Sequence, residues 1–251
     1  MRRYFLSDVH LYPEPMEHPG RTTFISFLRK LHDEEEPGEL WVVGDLFDFW
    51  FEYSAAVPAG YSDCICALRS LTGKNWNVHF LPGNHDYWVG RRFSVATGAV
   101  IHGPAPVKLD TGRRKVLIHH GDGLGSGDLG YRIMKPVLRS AAARWLFSMV
   151  HPTLGSRFAL LFSSTSKRVL RRDLDRIPQG LMEWVEAQLE EDADIVITGH
   201  THLDTVIRSE KGVYVSLGDW LTRYTYCLLN DDADPQLISF SEQNADGGMN
   251  R

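Results

Sequence analysis

Short apolar runs alternate along this chain with segments in which apolar residues recur every three or four positions. The first pattern predicts strands and the second predicts helices, because these are the spacings at which side chains share one face. The runs that predict strands are residues 3–6, 40–43, 78–81, 107–109, 115–119, 195–198, 213–217 and 226–229. The helical spacing predicts helices around residues 24–31, 62–71 and 181–189. Their order predicts an α/β fold.

The composition is that of an ordinary globular domain. Hydrophobic residues make up 43% and charged residues 24% of 251 positions, which excludes a disordered chain and a small disulfide scaffold. A net charge of −5 argues against a nucleic-acid partner, which would favour a basic chain. No apolar run of about 18 residues predicts a transmembrane helix, and the apolar run after the basic start stops at Ser7, so no secretory signal is predicted. We expect a cytoplasmic protein with no obligate protein partner.

One segment has a different charge from the rest. Residues 129–172 contain nine Lys or Arg and no Asp or Glu, so the chain's −5 leaves −14 for the remainder. We interpret residues 124–175 as a basic, apolar helical lid inserted into a core formed by 1–123 and 176–243, with 244–251 as a flexible tail. The lid is either a solvated basic face or a cap that meets an anionic, apolar partner such as a phosphate-bearing lipid.

Five short polar clusters, most of them directly after an apolar run, carry the candidate chemistry. Because ligands of α/β sheets bind at the carboxyl ends of strands, we expect the clusters to share one crevice. They supply carboxylates, an amide carbonyl and imidazoles but no thiolate, a set that suits Mn²⁺, Fe²⁺, Zn²⁺ or Co²⁺. The donors are too many for one such ion and predict two ions bridged by a carboxylate. The clusters are residues 8–10, 44–48, 83–86, 120–122 and 199–202.

Taken in order, the clusters resemble the calcineurin-like metallophosphoesterase superfamily, from Asp8 to His202. The resemblance implies a four-layer α/β/β/α sandwich, here with the helical lid insertion, and metals at the strand ends. His119 and His120 lie on opposite faces of a strand, and we take His120 as the ligand and His119 as a packed residue. The implied ligands are Asp8, His10 and His202 for one metal, Asn84, His120 and His200 for the other, and Asp45 as the bridge.

The same resemblance implies roles for four further residues. His85 would protonate the leaving group or bind the phosphoryl oxygens, and Asp86 would set the tautomer of His85. Asp48 and Asp122 would orient ligands or backbone from outside the ligand set. The implied chemistry is in-line attack of a metal-bridging hydroxide on phosphorus.

A narrower resemblance lies in residues 45–50, 91–93, 120–124 and 128–131, which are similar to the UDP-2,3-diacylglucosamine hydrolases of lipid A synthesis. Those enzymes carry a helical lid at this point and cleave the pyrophosphate of UDP-2,3-diacylglucosamine to UMP and 2,3-diacylglucosamine 1-phosphate, with Mn²⁺ preferred. The resemblance implies a lipid-linked UDP-sugar as substrate, and the basic lid suggests transient contact with the anionic inner-membrane surface. The implied sugar or phosphate contacts are Asp128, Ser163, Ser166, Lys167 and Arg171.

One residue departs from this narrower family. Well-known members have Arg where this chain has His85, which instead matches the general superfamily pattern. The alternative function is therefore that of a phosphodiesterase or phosphatase acting on a soluble nucleotide or another phosphoester. A non-catalytic scaffold is a third hypothesis, but such a chain would have lost ligands, and here every expected ligand position is filled.

Overall fold

The computed structural model describes residues 1–52, 58–124, 140–148, 176–231 and 233–240. It confirms a mixed α/β fold with two sheets flanked by helices. The strands are β1 (Arg2–Leu6), β2 (Glu39–Val43), β3 (Asn77–Leu81), β4 (Val100–Ile101), β5 (Val107–Asp110), β6 (Lys115–His119), β7 (Ile195–Thr198), β8 (Asp204–Ser209), β9 (Gly212–Leu217), β10 (Thr225–Asn230) and β11 (Gln236–Ser239). The helices are α1 (Arg21–His32), α2 (Ser62–Gly73), α3 (Arg91–Thr97), α4 (Ala141–Ser148) and α5 (Gln179–Glu191).

The two sheets combine a parallel centre with antiparallel edges. The six-stranded sheet has the order β11-β10-β1-β2-β3-β4, in which β1 to β4 run parallel. The five-stranded sheet has the order β5-β6-β7-β9-β8, in which β6, β7 and β9 run parallel. Each of the five polar clusters follows one of these parallel strands, either directly or after a single residue, and the strands are β1, β2, β3, β6 and β7. Parallel strands end at the same edge of a sheet, so the topology gathers the clusters.

Helices cover the outer face of each sheet, and the two inner faces pack against each other. In β1, Tyr4 and Leu6 join the core under α1 to α3, whereas Phe5 joins the core between the sheets, because successive side chains alternate. Burial of each Phe or Leu side chain stabilises the folded state by roughly 1.5–3 kcal/mol. The inter-sheet core includes Trp41, Val43 and Leu81 from the larger sheet and Val116, Ile118, Ile195, Ile197, Val213 and Val215 from the smaller one. α5 covers the smaller sheet with Leu181 and Val185.

Most of the predicted lid and the predicted tail lie outside the described residues. Within the lid the structure describes α4, on which Trp145 and Leu146 are exposed. The division into a core, a lid at 124–175 and a tail at 244–251 therefore stays a prediction. In the described ranges, every helix is too short or too polar to cross a bilayer.

Candidate metal centre

The loops that carry the predicted ligands have an unusual backbone. Seven non-glycine residues in the described ranges have a positive φ, and five of them are predicted metal ligands. Such a conformation is disfavoured for residues with a Cβ and is found preferentially at functional sites. The five are Asp8 (55°), His10 (51°), Asp45 (54°), His200 (70°) and His202 (58°).

Hydrogen bonds between the loops hold this backbone in place. The Asp8 N–H donates to the Gly44 carbonyl (3.1 Å), and the His10 N–H donates to the Asp45 carbonyl (2.9 Å). Gly44 has φ +83°, and a Cβ there would lie 2.4 Å from Nδ1 of His120. Only glycine lets the strand-β2 loop approach this imidazole so closely.

The first position of the centre is formed by Asp8, His10 and His202. Oδ1 of Asp8 lies 3.6 Å from Nε2 of His10 and 3.5 Å from Nε2 of His202. The other carboxylate oxygen, Oδ2, accepts hydrogen bonds from the Ser7 hydroxyl (2.6 Å) and the His200 N–H (2.8 Å). These bonds orient Asp8 so that Oδ1 faces the two imidazoles.

The second position is formed by Asn84, His120 and His200, and Asp45 lies between the two positions. Oδ2 of Asp45 is 3.4 Å from Nε2 of His120 and 3.8 Å from Nε2 of His10. One carboxylate oxygen thus faces ligands of both positions, as a bridge requires. Oδ1 of Asp45 accepts the His85 N–H (2.8 Å). Ligand atoms of Asp45, His120 and His200 lie within 4.8 Å of one another.

Three of the imidazoles direct Nε2 into the centre because a partner faces Nδ1. Nδ1 of His120 donates to the Val43 carbonyl at 2.9 Å. Nδ1 of His10 lies 3.5 Å from Oδ1 of Asp48, in the orienting place predicted for that residue. Nδ1 of His202 lies 3.6 Å from Oδ2 of a residue that the sequence analysis missed, Asp219. The hydrogen bond of His120 fixes the tautomer in which Nε2 is free to bind a metal, and the negative charges near Nδ1 of His10 and His202 favour the same tautomer of those rings.

The donor atoms fit divalent ions. Nε2 of His120 and Oδ1 of Asn84 lie 3.2 Å apart, so one divalent ion could bind both atoms in place of the proton that Nε2 carries in the ion-free protein. Oδ1 of Asp8 and Nε2 of His10 are buried without a hydrogen-bond partner. A buried polar atom without a partner is destabilising, and a cation among these oxygen and nitrogen atoms would satisfy it.

The carboxylates draw protons onto two imidazoles. Burial opposes a charge on His10, but Asp48 and Asp8 outweigh burial and raise the pKa of His10 to about 10. Burial also opposes a charge on His120, and Asp45 raises the pKa of His120 to about 10. The ion-free centre thus holds protons where bound cations would supply positive charge.

His200 differs from these two imidazoles. Burial, together with the neighbouring His120, lowers the pKa of His200 to about 4, so His200 is neutral at pH 7. Neutral imidazole is the form that binds a metal. Burial opposes ionisation of Asp8 and Asp45, but adjacent imidazoles, led by His202 and His120 respectively, hold both carboxyl pKa values below their usual range.

The predicted role of Asp86 as the partner of His85 is wrong. Nδ1 of His85 donates to the backbone carbonyl of Asp48 (2.9 Å), which sets the tautomer of His85. The Asp86 carboxylate is fully buried and accepts N–H groups from two ligand loops. The donors are Gly83 (2.8 Å), Asp45 (3.2 Å), Leu46 (2.7 Å) and Phe47 (3.3 Å). Asp86 therefore joins the loops after β2 and β3, because a carboxylate can accept several backbone hydrogen bonds at once.

The remaining predicted residues divide into two groups. Asp122 is buried, and its negative charge helps to raise the pKa of His120. His119 is a packed residue: its Nδ1 accepts the Gly121 N–H (2.8 Å), and its ring packs on Trp184. The predicted substrate contacts Asp128, Ser163, Ser166, Lys167 and Arg171 lie outside the described residues.

Known proteins share the pattern of this chain. The profile of the calcineurin-like phosphoesterase family matches residues 1–204. A UDP-2,3-diacylglucosamine hydrolase from Porphyromonas gingivalis is 29% identical and aligns over 90% of this chain and 92% of its own length. One from Photorhabdus laumondii is 30% identical and aligns over 94% of this chain and 98% of its own length. Among solved structures, an archaeal phosphodiesterase aligns over 96% of this chain and 100% of its own length, with 14% identity and a TM-score of 0.47.

The resemblance predicted from the five clusters is confirmed by the first three of these similarities. The family profile spans all five clusters, from the loop after β1 to the loop after β7. The chain belongs to the calcineurin-like phosphoesterase family and is a metal-dependent hydrolase.

Proposed function

We propose that this chain hydrolyses the pyrophosphate of UDP-2,3-diacylglucosamine to UMP and 2,3-diacylglucosamine 1-phosphate. The observation that carries the proposal is the extent of the similarity. Relatives named for this activity align along 92% and 98% of their own length, and so beyond the family's metal-binding core. In the reaction a water oxygen bonds to one phosphorus while the bridging phosphorus–oxygen bond breaks, and no other reactant is consumed.

The metal centre supports this chemistry. The first position, with Asp45, would hold one divalent ion, and the second position, again with Asp45, would hold the other. When bound, such a pair lowers the pKa of water and neutralises phosphoryl oxygens. The mixture of carboxylate, amide and imidazole donors suits Mn²⁺, which we propose as the native ion.

His85 would transfer a proton to the substrate's phosphate or leaving group, and Asp48 would orient His85. Burial lowers the pKa of His85, so the ring is neutral at pH 7, and its Nδ1–H is committed to the Asp48 carbonyl. Nε2 of His85 can then accept a proton and donate it to a phosphoryl or leaving-group oxygen, as an anionic substrate would favour. The Asp48 carboxylate meanwhile faces His10 at 3.5 Å, so one residue orients both imidazoles.

We further propose that residues 124–175 form a lid that covers the acyl chains, and that its residues Asp128, Ser163, Ser166, Lys167 and Arg171 contact the sugar or the phosphates. Exposed Trp145 and Leu146 on α4 support an apolar contact. The excess of basic residues supports a peripheral, cytoplasmic location on the anionic inner membrane. Binding to phosphatidylglycerol vesicles should weaken as NaCl rises, because salt screens surface charge, and salt-insensitive binding or none would contradict the electrostatic part.

His85 favours one alternative substrate class. Because His at this position follows the general superfamily pattern, a soluble nucleotide or another phosphoester is the second candidate.

The two substrates are separated by one assay. Purified protein with Mn²⁺ is given UDP-2,3-diacylglucosamine of several acyl-chain lengths, UDP-N-acetylglucosamine and bis-p-nitrophenyl phosphate. We expect UMP release from the lipid, with a rate that depends steeply on chain length. Cleavage of the soluble esters without any release from the lipid would contradict the lipid substrate and favour the alternative.

A further inference from the structure

Asp219 lies beside the metal centre but belongs to none of the five clusters. It follows β9 by two residues, beyond the 1–204 segment that the family profile matches, and its side chain is buried. Oδ2 of Asp219 lies 3.6 Å from Nδ1 of His202. Oδ1 accepts the N–H groups of Leu221 (2.9 Å) and Thr222 (2.7 Å). The turn after β9 thus fixes this carboxylate behind a ligand of the first position.

Asp48 lies behind His10, the other imidazole of the first position, as Asp219 lies behind His202. Its Oδ1 lies 3.5 Å from Nδ1 of His10. Both imidazoles of this position therefore have a carboxylate behind Nδ1. A negative charge behind Nδ1 favours the tautomer that leaves Nε2 free and makes Nε2 a stronger donor to a metal.

The second position has weaker support. Nδ1 of His120 faces the Val43 carbonyl, which is neutral. The position's own oxygen ligand is the amide of Asn84, whereas that of the first position is the carboxylate of Asp8. Asp122 and Asp86 are buried and interact electrostatically with His120, but the group that faces Nδ1 of His120 is the neutral Val43 carbonyl and not either carboxylate.

We infer that Asp219 is a positioning residue for His202 and that, together with Asp48, it makes the first position bind its divalent ion before, and more tightly than, the second. The inference rests on the proposed function in taking both positions as ion sites. It concerns binding and not turnover, so it can fail or succeed independently of the substrate.

The test is a titration of the metal-free full chain with Mn²⁺. The electron paramagnetic resonance signal measures the concentration of free Mn²⁺ at each step. Wild-type protein should show two binding classes. Asp219→Asn keeps an oxygen for the turn's N–H groups but removes the charge, and should weaken the tighter class about 10-fold while the weaker class stays within about threefold. Asp48→Asn should act on the same class, which keeps the test available if Asp219→Asn does not fold.

A matched control separates the carboxylate from the turn. The Thr222 hydroxyl donates to Asp219 (3.1 Å), and Thr222→Val removes this bond while it keeps the charge. Both classes should then stay within about threefold of wild type, since the partner of His202 remains. Asp219→Glu, which restores the charge, should recover part of the lost affinity.

Four results would overturn the inference. They are one class of equal sites in the wild type, equal weakening of both classes by Asp219→Asn, loss of the tighter class in Asn84→Ala, and a lower urea midpoint for metal-free Asp219→Asn with unchanged Mn²⁺ affinity. The last result would mean that Asp219 stabilises the turn after β9 but does not affect metal binding by His202. If the lipid releases no UMP, the proposed function fails, but these titration curves are unaffected.

Discussion

Two pairs of buried or half-buried histidines in this protein have pKa values shifted in opposite directions. In the metal centre, the pKa values of His10 and His120 are raised to about 10. At the edge of the larger sheet, Nδ1 of His79 lies 3.0 Å from Nε2 of His102, and the His79 ring stacks on Trp41 with 4.0 Å between centroids. There burial lowers the pKa of both rings.

The difference comes from the carboxylates and not from burial. Burial disfavours charge in both places, and it is greater in the metal centre. Asp8, Asp45 and Asp48 outweigh burial in the centre, whereas Glu39 does not do so for His79. Buried carboxylates therefore distinguish His10 and His120 from the packed pair at the sheet edge, whereas His200, which lies beside the charged His120, keeps a lowered pKa within the same centre.

The largest effect should come from removing the carboxylate that serves both positions. Asp45→Asn keeps the shape of the side chain but replaces the oxygen charge that faces His10 and His120, and we expect kcat to fall roughly 10³-fold, as for loss of one preorganised charge-stabilising group. Release of UMP from UDP-2,3-diacylglucosamine at saturating Mn²⁺ measures the effect. The matched control is Asp192→Asn, which removes an exposed partner of Lys115 and should leave the rate unchanged. A rate within tenfold of wild type for Asp45→Asn would contradict the bridging role.

The second effect concerns the carboxylate that joins the ligand loops. Asp86→Asn leaves one oxygen for four N–H donors and turns an NH₂ group toward two of them, so metal-free protein should lose roughly 2–4 kcal/mol of unfolding free energy. Urea unfolding measures the loss. The matched control is Asp110→Asn. Asp110 is exposed and accepts the Gly112 N–H at 2.7 Å, and an asparagine oxygen can accept the same bond, so the loss of unfolding free energy should stay within about 0.5 kcal/mol. Equal losses in the two variants would refute the role of Asp86.

The third effect is the dependence of metal stabilisation on pH. Because the folded-state pKa values of His10 and His120 are raised to about 10, their contribution to the stability of the ion-free protein is full below about pH 6.5 and is lost as pH rises toward 10. The slope is up to about 1.4 kcal/mol per pH unit for each ring. Bound Mn²⁺ replaces these protons, so the stabilisation by Mn²⁺ should grow from pH 6.5 to pH 8.5. Urea midpoints in EDTA and in Mn²⁺ measure it, and a gain that shrinks with pH would contradict the electrostatics.

Much of the centre was predictable from sequence because its residues directly follow apolar strands. Asp45 comes after β2 and a glycine, and the other clusters show the same change from apolar to polar. The same signal was available for Asp219, since Leu217-Gly218-Asp219 repeats the order apolar–Gly–Asp of Val43-Gly44-Asp45. Asp219 was missed because no family motif covers it.

Other features could not be predicted from local pattern. β8 and β11 are edge strands with half-exposed side chains, so they lack a strong apolar run. α3 is too short for a clear period. The bond between His85 and the Asp48 carbonyl depends on the path of two loops in space, and the neighbouring Asp86 therefore misled the assignment.

The smallest effect should come from the histidine pair at the sheet edge. Burial lowers the pKa values of His79 and His102 in the folded protein, so the stability that they contribute is present above pH 6.5 and is lost as pH falls below it. His102→Gln removes one titrating ring, and in EDTA this variant should lose less stability between pH 7 and pH 5 than wild type, by less than about 1 kcal/mol because the pair is partly solvated. As the control for lost packing, the unfolding free energies of both proteins are compared at pH 8, where burial keeps both rings neutral, and only the change on going to lower pH is set against the wild-type curve. If His102→Gln follows that curve, burial does not lower the pKa values of this pair, and the electrostatic contrast with His10 and His120 is lost.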